Sequence, residues 1–213
     1  MRENGPHANE IVLRNCGKLE FLMADAIVFD TEFTAWQGSM ARRWSGPAEH
    51  REIVQIGAVA IDANSFVETA SFSILIKPVH NPVLSDYLVA LTRISNERLT
   101  AEATDFVSGV SAFVAFVAGR RLFCYGRDDK VIAANAKLLG ERTVWPRVTA
   151  FDLKDWLLQI GIPLAGVHSG ALAEHVGGVS QGVGHDALVD SRSLAAAIRY
   201  LVPRGAPNPL IGL

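Results

Sequence analysis

Cysteine is scarce in this sequence, with two among 213 residues, Cys16 and Cys124. Neither belongs to a Cys-x-x-Cys pair, which argues against a structural zinc site, and nothing demands a disulfide between them. Cys124 lies in an apolar run and reads as a small core residue. Long hydrophobic runs are missing too. No stretch approaches the roughly 18 apolar residues of a membrane span, and the opening MRENGPHANE lacks the apolar centre of a signal sequence. A cytoplasmic location is therefore expected, with no membrane partner. Charge of one sign is also absent: 20 Lys and Arg face 22 Asp and Glu, for a net charge of −2 and a pI of 6.3. Without a bulk basic field, any nucleic-acid binding has to be local or metal-assisted. There is no internal repeat and no low-complexity segment.

What is present suits one globular core. Hydrophobic residues make up 49% of the chain, enough for a single substantial domain. An N-terminal extension (1–22), a main domain (23–202) and an irregular tail (203–213) containing three prolines are expected. Within the domain, β-branched and apolar runs predict strands at 25–31, 52–62 and 65–78, the latter two forming a hairpin around residues 62–64. Helical spacing follows at 85–95, where Ser85 is placed to cap, and at 104–119, where Gly119 supplies a stop. A buried strand at 121–126, a helix at 128–140, a short strand near 148–151 and helices at 152–161 and from 186 onward complete the pattern. Hairpin strands first, then strands alternating with helices, imply a mixed α/β sheet with helices packed on it.

The carboxylates break this regular picture. In AIVFDTEF an apolar strand ends in Asp30 and Glu32, two residues apart and so on one face. Two such neighbours repel each other and shift each other's pKa; a divalent cation removes the conflict, and so does a position past the strand end in water. Asp128 and Asp129 follow the strand RLFCYG where a helix begins, a place equally suited to capping. In GVGHDALVD, His185 and Asp190 are five apart, about 140° on a 3.6-residue repeat. They meet only if His185 lies in the glycine-rich approach and Asp190 one turn inside the helix, with Asp186 as the cap.

Taken together, Asp-x-Glu, Gly-x-x-Asp and His-x4-Asp in this order resemble the DnaQ-like 3'-to-5' exonucleases of the DEDD class, His subgroup. The resemblance spans residues 25–201, and EIVQIGAV and LTRIS are similar to that family's usual companions. It implies a ribonuclease-H-like fold: a five-stranded mixed sheet, its first three strands antiparallel, flanked by helices. It implies Asp30, Glu32, Asp129 and Asp190 as ligands of two Mg²⁺ or Mn²⁺ ions and His185 as general base. By spacing from Gly126, Asp129 is preferred as the ligand over Asp128. Hard carboxylate oxygens suit these ions, and two ions can serve both ends of an in-line phosphodiester displacement.

Substrate contacts are expected from Thr31, Phe33, Trp36, Leu91 and Thr92, although Leu91 and Thr92 also read as plain helix-end packing. Residues 34–51 form a loop with Trp36, Arg42, Arg43 and Trp44, suited to stacking bases and gripping phosphates; one Trp serves equally well as an anchor. Arg93 stands where Gly is common in the family, and His7, His50, His80, His168 and His175 receive no role. The implied substrate is a single-stranded 3' end, RNA favoured over DNA, because DTEFTAWQG resembles RNA-end-trimming members more than proofreading subunits. The alternative is a regulatory protein-binding module with vestigial nuclease activity. Oligomeric state is open.

Overall fold

A computed structural model describes residues 25–145 and 149–211. Cys16, His7 and the N-terminal extension lie outside the described residues. Five strands form one sheet in the order β3-β2-β1-β4-β5. β1 (Asp25–Phe33), β2 (Ile53–Asp62) and β3 (Glu68–Leu75) are antiparallel, whereas β4 (Arg121–Cys124) and β5 (Phe151–Asp152) run parallel to β1. This is the mixed five-stranded sheet expected from the sequence.

β1 is central, which explains its unbroken apolar run: a strand covered on both faces has no polar side to present. Ile27 and Phe29 point into one core with Phe106, Val110 and Phe113 of α3 (Phe106–Val117) and Val131 and Ile132 of α4 (Asp128–Leu138). Ala26 and Val28 point into the other core, with Trp156 and Leu157 of α5 (Leu153–Gln159) and Leu194 and Ile198 of α7 (Ala187–Leu201). Cys124 is fully buried, and burial followed by the Asp128 charge pushes its thiol up to about 12, so it is an inert core residue.

The structure divides what reads as one helix at 85–95. α1 (Asp86–Thr92) begins at Ser85, whose hydroxyl accepts the Leu88 N–H, and ends at Arg93, which is left-handed at φ 62°. Ser95 then caps α2 (Asn96–Glu102) by accepting the Arg98 N–H. A left-handed residue stops a helix, and a second capping serine restarts one. Near the C-terminus, a short helix α6 (Leu172–His175) precedes α7, again without a clear sequence signal. The tail is docked on the domain: Trp156 donates to the Pro207 carbonyl, Arg121 donates to that of Leu210, and Leu210 is buried.

Two side chains seat the helices that carry acidic groups toward the end of β1. Gln55 of β2 accepts the Ala187 N–H at 3.0 Å and donates to Asp186 at 3.2 Å, seating the N-terminus of α7 on the sheet. Two residues on, Gly57 lets that turn come close; a Cβ there would overlap the backbone of Ala187 and Leu188. Buried Asn135 of α4 accepts the Ile53 N–H and donates to the Arg51 carbonyl, both at 2.9 Å, tying α4 to the start of β2.

Gly57→Ala is expected to lower stability by about 2 kcal/mol or more, because backbone cannot yield as a side chain can. Denaturant unfolding measures this, and a loss within ~0.5 kcal/mol of wild type would contradict the close approach.

Candidate active site

The C-terminal tip of β1 is where alternation along the strand turns from packing to chemistry. Asp30 and Glu32 continue the Ala26–Val28 face toward α7, and Thr31 and Phe33 continue the other face toward α4. A register irregularity between Glu32 and Phe33 ends the regular pairing with β2. Asp30, Thr31 and Glu32 are all buried.

The third acidic position comes from α4, and here the structure corrects the expectation for Asp129. Consecutive helical residues diverge by about 100°, so only one of Asp128 and Asp129 can face the tip of β1. That one is Asp128: Thr31 Oγ1 donates to its Oδ1 at 2.5 Å. Asp129 turns the other way. Its two oxygens accept from Arg127 Nε and Nη2 at 3.1 Å, and Oδ2 also takes the Ala150 N–H at 3.4 Å. Counting residues from Gly126 cannot separate the two, because both lie in the first turn of α4, which follows Arg127, left-handed at φ 75°.

Asp190 sits in the first turn of α7. Ser169 donates to its Oδ2 and the His185 N–H to its Oδ1, both at 3.0 Å. Gly170 lies so close that a Cβ there would overlap Asp190 Oδ1. His185 precedes the cap Asp186 and is left-handed at φ 68°. His185 and Asp190 therefore meet although they do not share a helical face. Ligating atoms of Glu32, His185 and Asp190 lie within 4.8 Å of one another.

The four carboxylates form one electrostatic unit. Burial, then the charges of Asp128, Asp190 and Glu32, hold Asp30 well above the usual carboxylate range. Burial followed by Asp190 and Asp128 pushes Glu32 up to about 8, against the pull of Arg93. Asp128 is raised to about 6 by burial, and Asp190 is raised by burial as well. His185 moves the opposite way: burial first, then His168 and Arg93, lowers its pKa. Uncompensated charges at such depth are costly. Carboxylate oxygens are hard donors, and a group of four that feel one another's charge suits divalent cations such as Mg²⁺ or Mn²⁺.

The exonuclease family model RNase_T matches residues 27–198. The chain belongs to this exonuclease family. No curated protein matches it by sequence. Among solved structures, it is similar to the nuclease domain of 3'hExo, described as a DEDDh family member bound to rAMP, with a TM-score of 0.73, 17% identity and coverage of 89% of this chain and 97% of that one. Cell-death related nuclease 4 (CRN-4) is similar at TM-score 0.70 and 19% identity over 86% of this chain and 65% of that one. An E. coli ExoI–ssDNA complex in a zinc-bound form is similar at TM-score 0.64 and 17% identity over 86% and 41%.

Beside Glu32 and His185, the exonuclease has a cavity of about 500 Å³ whose walls include Phe33, Trp36, Met40, Trp44, Tyr87 and Leu91. Of the five residues expected at the substrate, Phe33, Trp36 and Leu91 line this cavity. Thr31 and Thr92 do not: the Thr31 hydroxyl is engaged by Asp128, and that of buried Thr92 donates to the Leu88 carbonyl. The loop expected to carry both bases and phosphates is largely self-bound. Trp44 Nε1 donates to the Thr34 carbonyl at 2.8 Å, making it the anchor. Arg42 pairs with Glu49 and donates to the Gln37 carbonyl.

Met40 and Tyr87 carry no sequence signal for this cavity. Neither does His168, whose ring stacks on His185 at 4.7 Å. Arg93, in the left-handed position that explains why glycine suits it, donates to the carbonyls of Val183 and Gly184 at 3.0 and 2.6 Å and so braces the approach to His185.

The raised carboxylates make stability depend on pH. Glu32 and Asp128 have folded-state values of about 8 and 6, against ordinary values of 4.5 and 3.8. Between these limits the folded metal-free protein binds more protons than the unfolded chain, so their contribution is fully present at low pH and is lost as pH rises through the folded values. Chelator-treated protein is expected to melt at a lower temperature at pH 8 than at pH 6, with Mn²⁺ restoring more at pH 8. Equal restoration at both would break the link between cluster and cation.

Proposed function

We propose that this exonuclease removes nucleotides from the 3' end of single-stranded nucleic acid, RNA in preference to DNA, with the help of two divalent ions, Mg²⁺ or Mn²⁺. The observation that carries the reading is the convergence of Asp30, Glu32, Asp128 and Asp190, from three distant segments, with Glu32 and His185 bordering an aromatic-walled cavity. The 3'-terminal polarity is supported by similarity to 3'hExo and to a 3'-exonuclease structure described as recognising the 3' end of histone mRNA stem-loop. The RNA preference draws on the same two, against the single-stranded DNA of ExoI.

Asp30, Glu32, Asp128 and Asp190 would hold the ions. Bound there, such ions offset negative charge on the phosphate and activate water. The rest falls to the chain itself. Phe33, Trp36 and Leu91 offer apolar surface to a terminal nucleoside. His185, neutral at the working pH because its pKa is lowered, accepts the proton from the attacking water. Ser169 and the His185 N–H fix the orientation of Asp190. Asp129 serves the structure by holding Arg127 and the entry to β5.

With a 5'-labelled RNA strand and Mn²⁺, the products should shorten stepwise from the 3' end; an intact strand would favour a protein-binding role instead. Asp30→Ala and Asp128→Asn should each cost about a thousandfold in kcat or more, whereas Asp129→Asn should keep wild-type-like turnover and melt at a lower temperature. The reverse ranking of Asp128 and Asp129 would restore the assignment based on spacing. At saturating metal, kcat should rise with pH through a midpoint below the ordinary histidine value of 6.5. His185→Ala should flatten that limb, and a profile unchanged in the variant would remove His185 from its role.

A further inference from the structure

Most cations around the site already have partners. Arg127 and Lys130 face Asp129, Arg42 faces Glu49, and Arg93 is bound to two carbonyls. Arg51 differs. Its guanidinium carbon lies 3.8 Å from the Phe33 ring centroid and 4.8 Å from that of Trp44. Both rings also belong to the wall of the cavity beside Glu32 and His185. The backbone of Arg51 is pinned through its carbonyl to Asn135, yet the residue is exposed. Among the described residues, no hydrogen bond or ion pair engages its guanidinium. Burial of its head against the rings lowers the Arg51 pKa, and the Asp128 charge opposes this without forming an ion pair.

This arrangement has a physical reading. Aromatic faces hold the plane of a guanidinium but leave its N–H groups, which lie in that plane, available. Those donors match the oxygens of a phosphate, and the charge is permanent. Four carboxylates repel a polyanion, and ions held among them offset only the phosphate they touch. A strand of several phosphates needs a further cation just outside the cluster, and the chain's net charge of −2 does not provide it diffusely. We propose that Arg51, clamped on Phe33 and Trp44, binds a backbone phosphate of the substrate strand other than the one being cut. The inference rests on the nuclease reading and adds a strand-binding contact to it.

The test compares wild type, Arg51→Met and Arg51→Lys on a short single-stranded oligonucleotide with Mn²⁺ across a salt series. Met keeps apolar contact with the rings and removes the charge; Lys keeps the charge. Arg51→Met is expected to raise KM about tenfold, the loss of one charge-assisted contact, with kcat within about threefold of wild type. Its log–log salt slope should weaken by about 0.7, one phosphate on a single strand. Arg51→Lys should recover the slope. Wild-type KM and slope in Arg51→Met would overturn the proposal. So would a fall in kcat with the slope intact, which would mean that Arg51 supports the reacting centre instead. If Arg51→Met does not fold, the slope of Arg51→Gln against Arg51→Lys decides in the same way. An inactive wild type would overturn the nuclease reading itself, whereas an active wild type with indifferent variants overturns only the role of Arg51.

Discussion

Everything at the site follows from burying like charges together. Asp30, Glu32, Asp128 and Asp190 are removed from water together; burial raises the pKa of each, and the charges of the others add to this at Asp30 and Glu32. A fold gains nothing in stability from such a cluster on its own, since desolvation and repulsion both oppose it. What the arrangement offers is a steep preference for positive charge at one point. The sheet makes this tolerable by surrounding that point with packed structure that cannot relax away from it.

The scaffold's part can be traced to a few residues. Gln55 and Gly57 of β2 bring the first turn of α7 against the sheet, and with it Asp190 and the His185 approach. Asn135 joins α4 to the start of β2, which holds Asp128 across from Thr31. Ser169 and Gly170 close around Asp190 from the other side. Three chain segments far apart in sequence are thereby locked by buried hydrogen bonds and by close backbone contact. Glu52 shows that burial of a carboxylate need not mean chemistry: it accepts the backbone N–H groups of Val79, His80 and Asn81 and organises a turn.

Much of the fold was legible because its signals are local. The apolar run before Asp30, the hairpin of β2 and β3, and the spacing of α3 each follow from periodicity within a dozen residues. The division at Arg93 was not legible, because a left-handed arginine has no composition signal and a single Ser95 does not announce a new helix. In the site, Asp30, Glu32, His185 and Asp190 were marked by pattern. The choice between Asp128 and Asp129 was not, since it turns on the backbone conformation of Arg127. His168 and Tyr87 were invisible for a related reason: each comes near across space, from a segment with no motif of its own; Met40 and Arg51 lie in the loop at 34–51, but nothing in its sequence singles them out from Arg42 and Arg43.

By itself, then, the sequence determined the class of sheet, the order of its strands in the chain and the residue types gathered for phosphodiester chemistry, because these depend on periodicity and on side-chain composition. Folding in three dimensions settles which of two adjacent aspartates faces the others, which tryptophan anchors its loop, and which arginine lies against the Phe33 and Trp44 rings with no hydrogen bond to its guanidinium among the described residues. Those outcomes depend on direction in space; for the two aspartates, a rotation of one residue along the helix, about 100°, is enough to reverse the outcome.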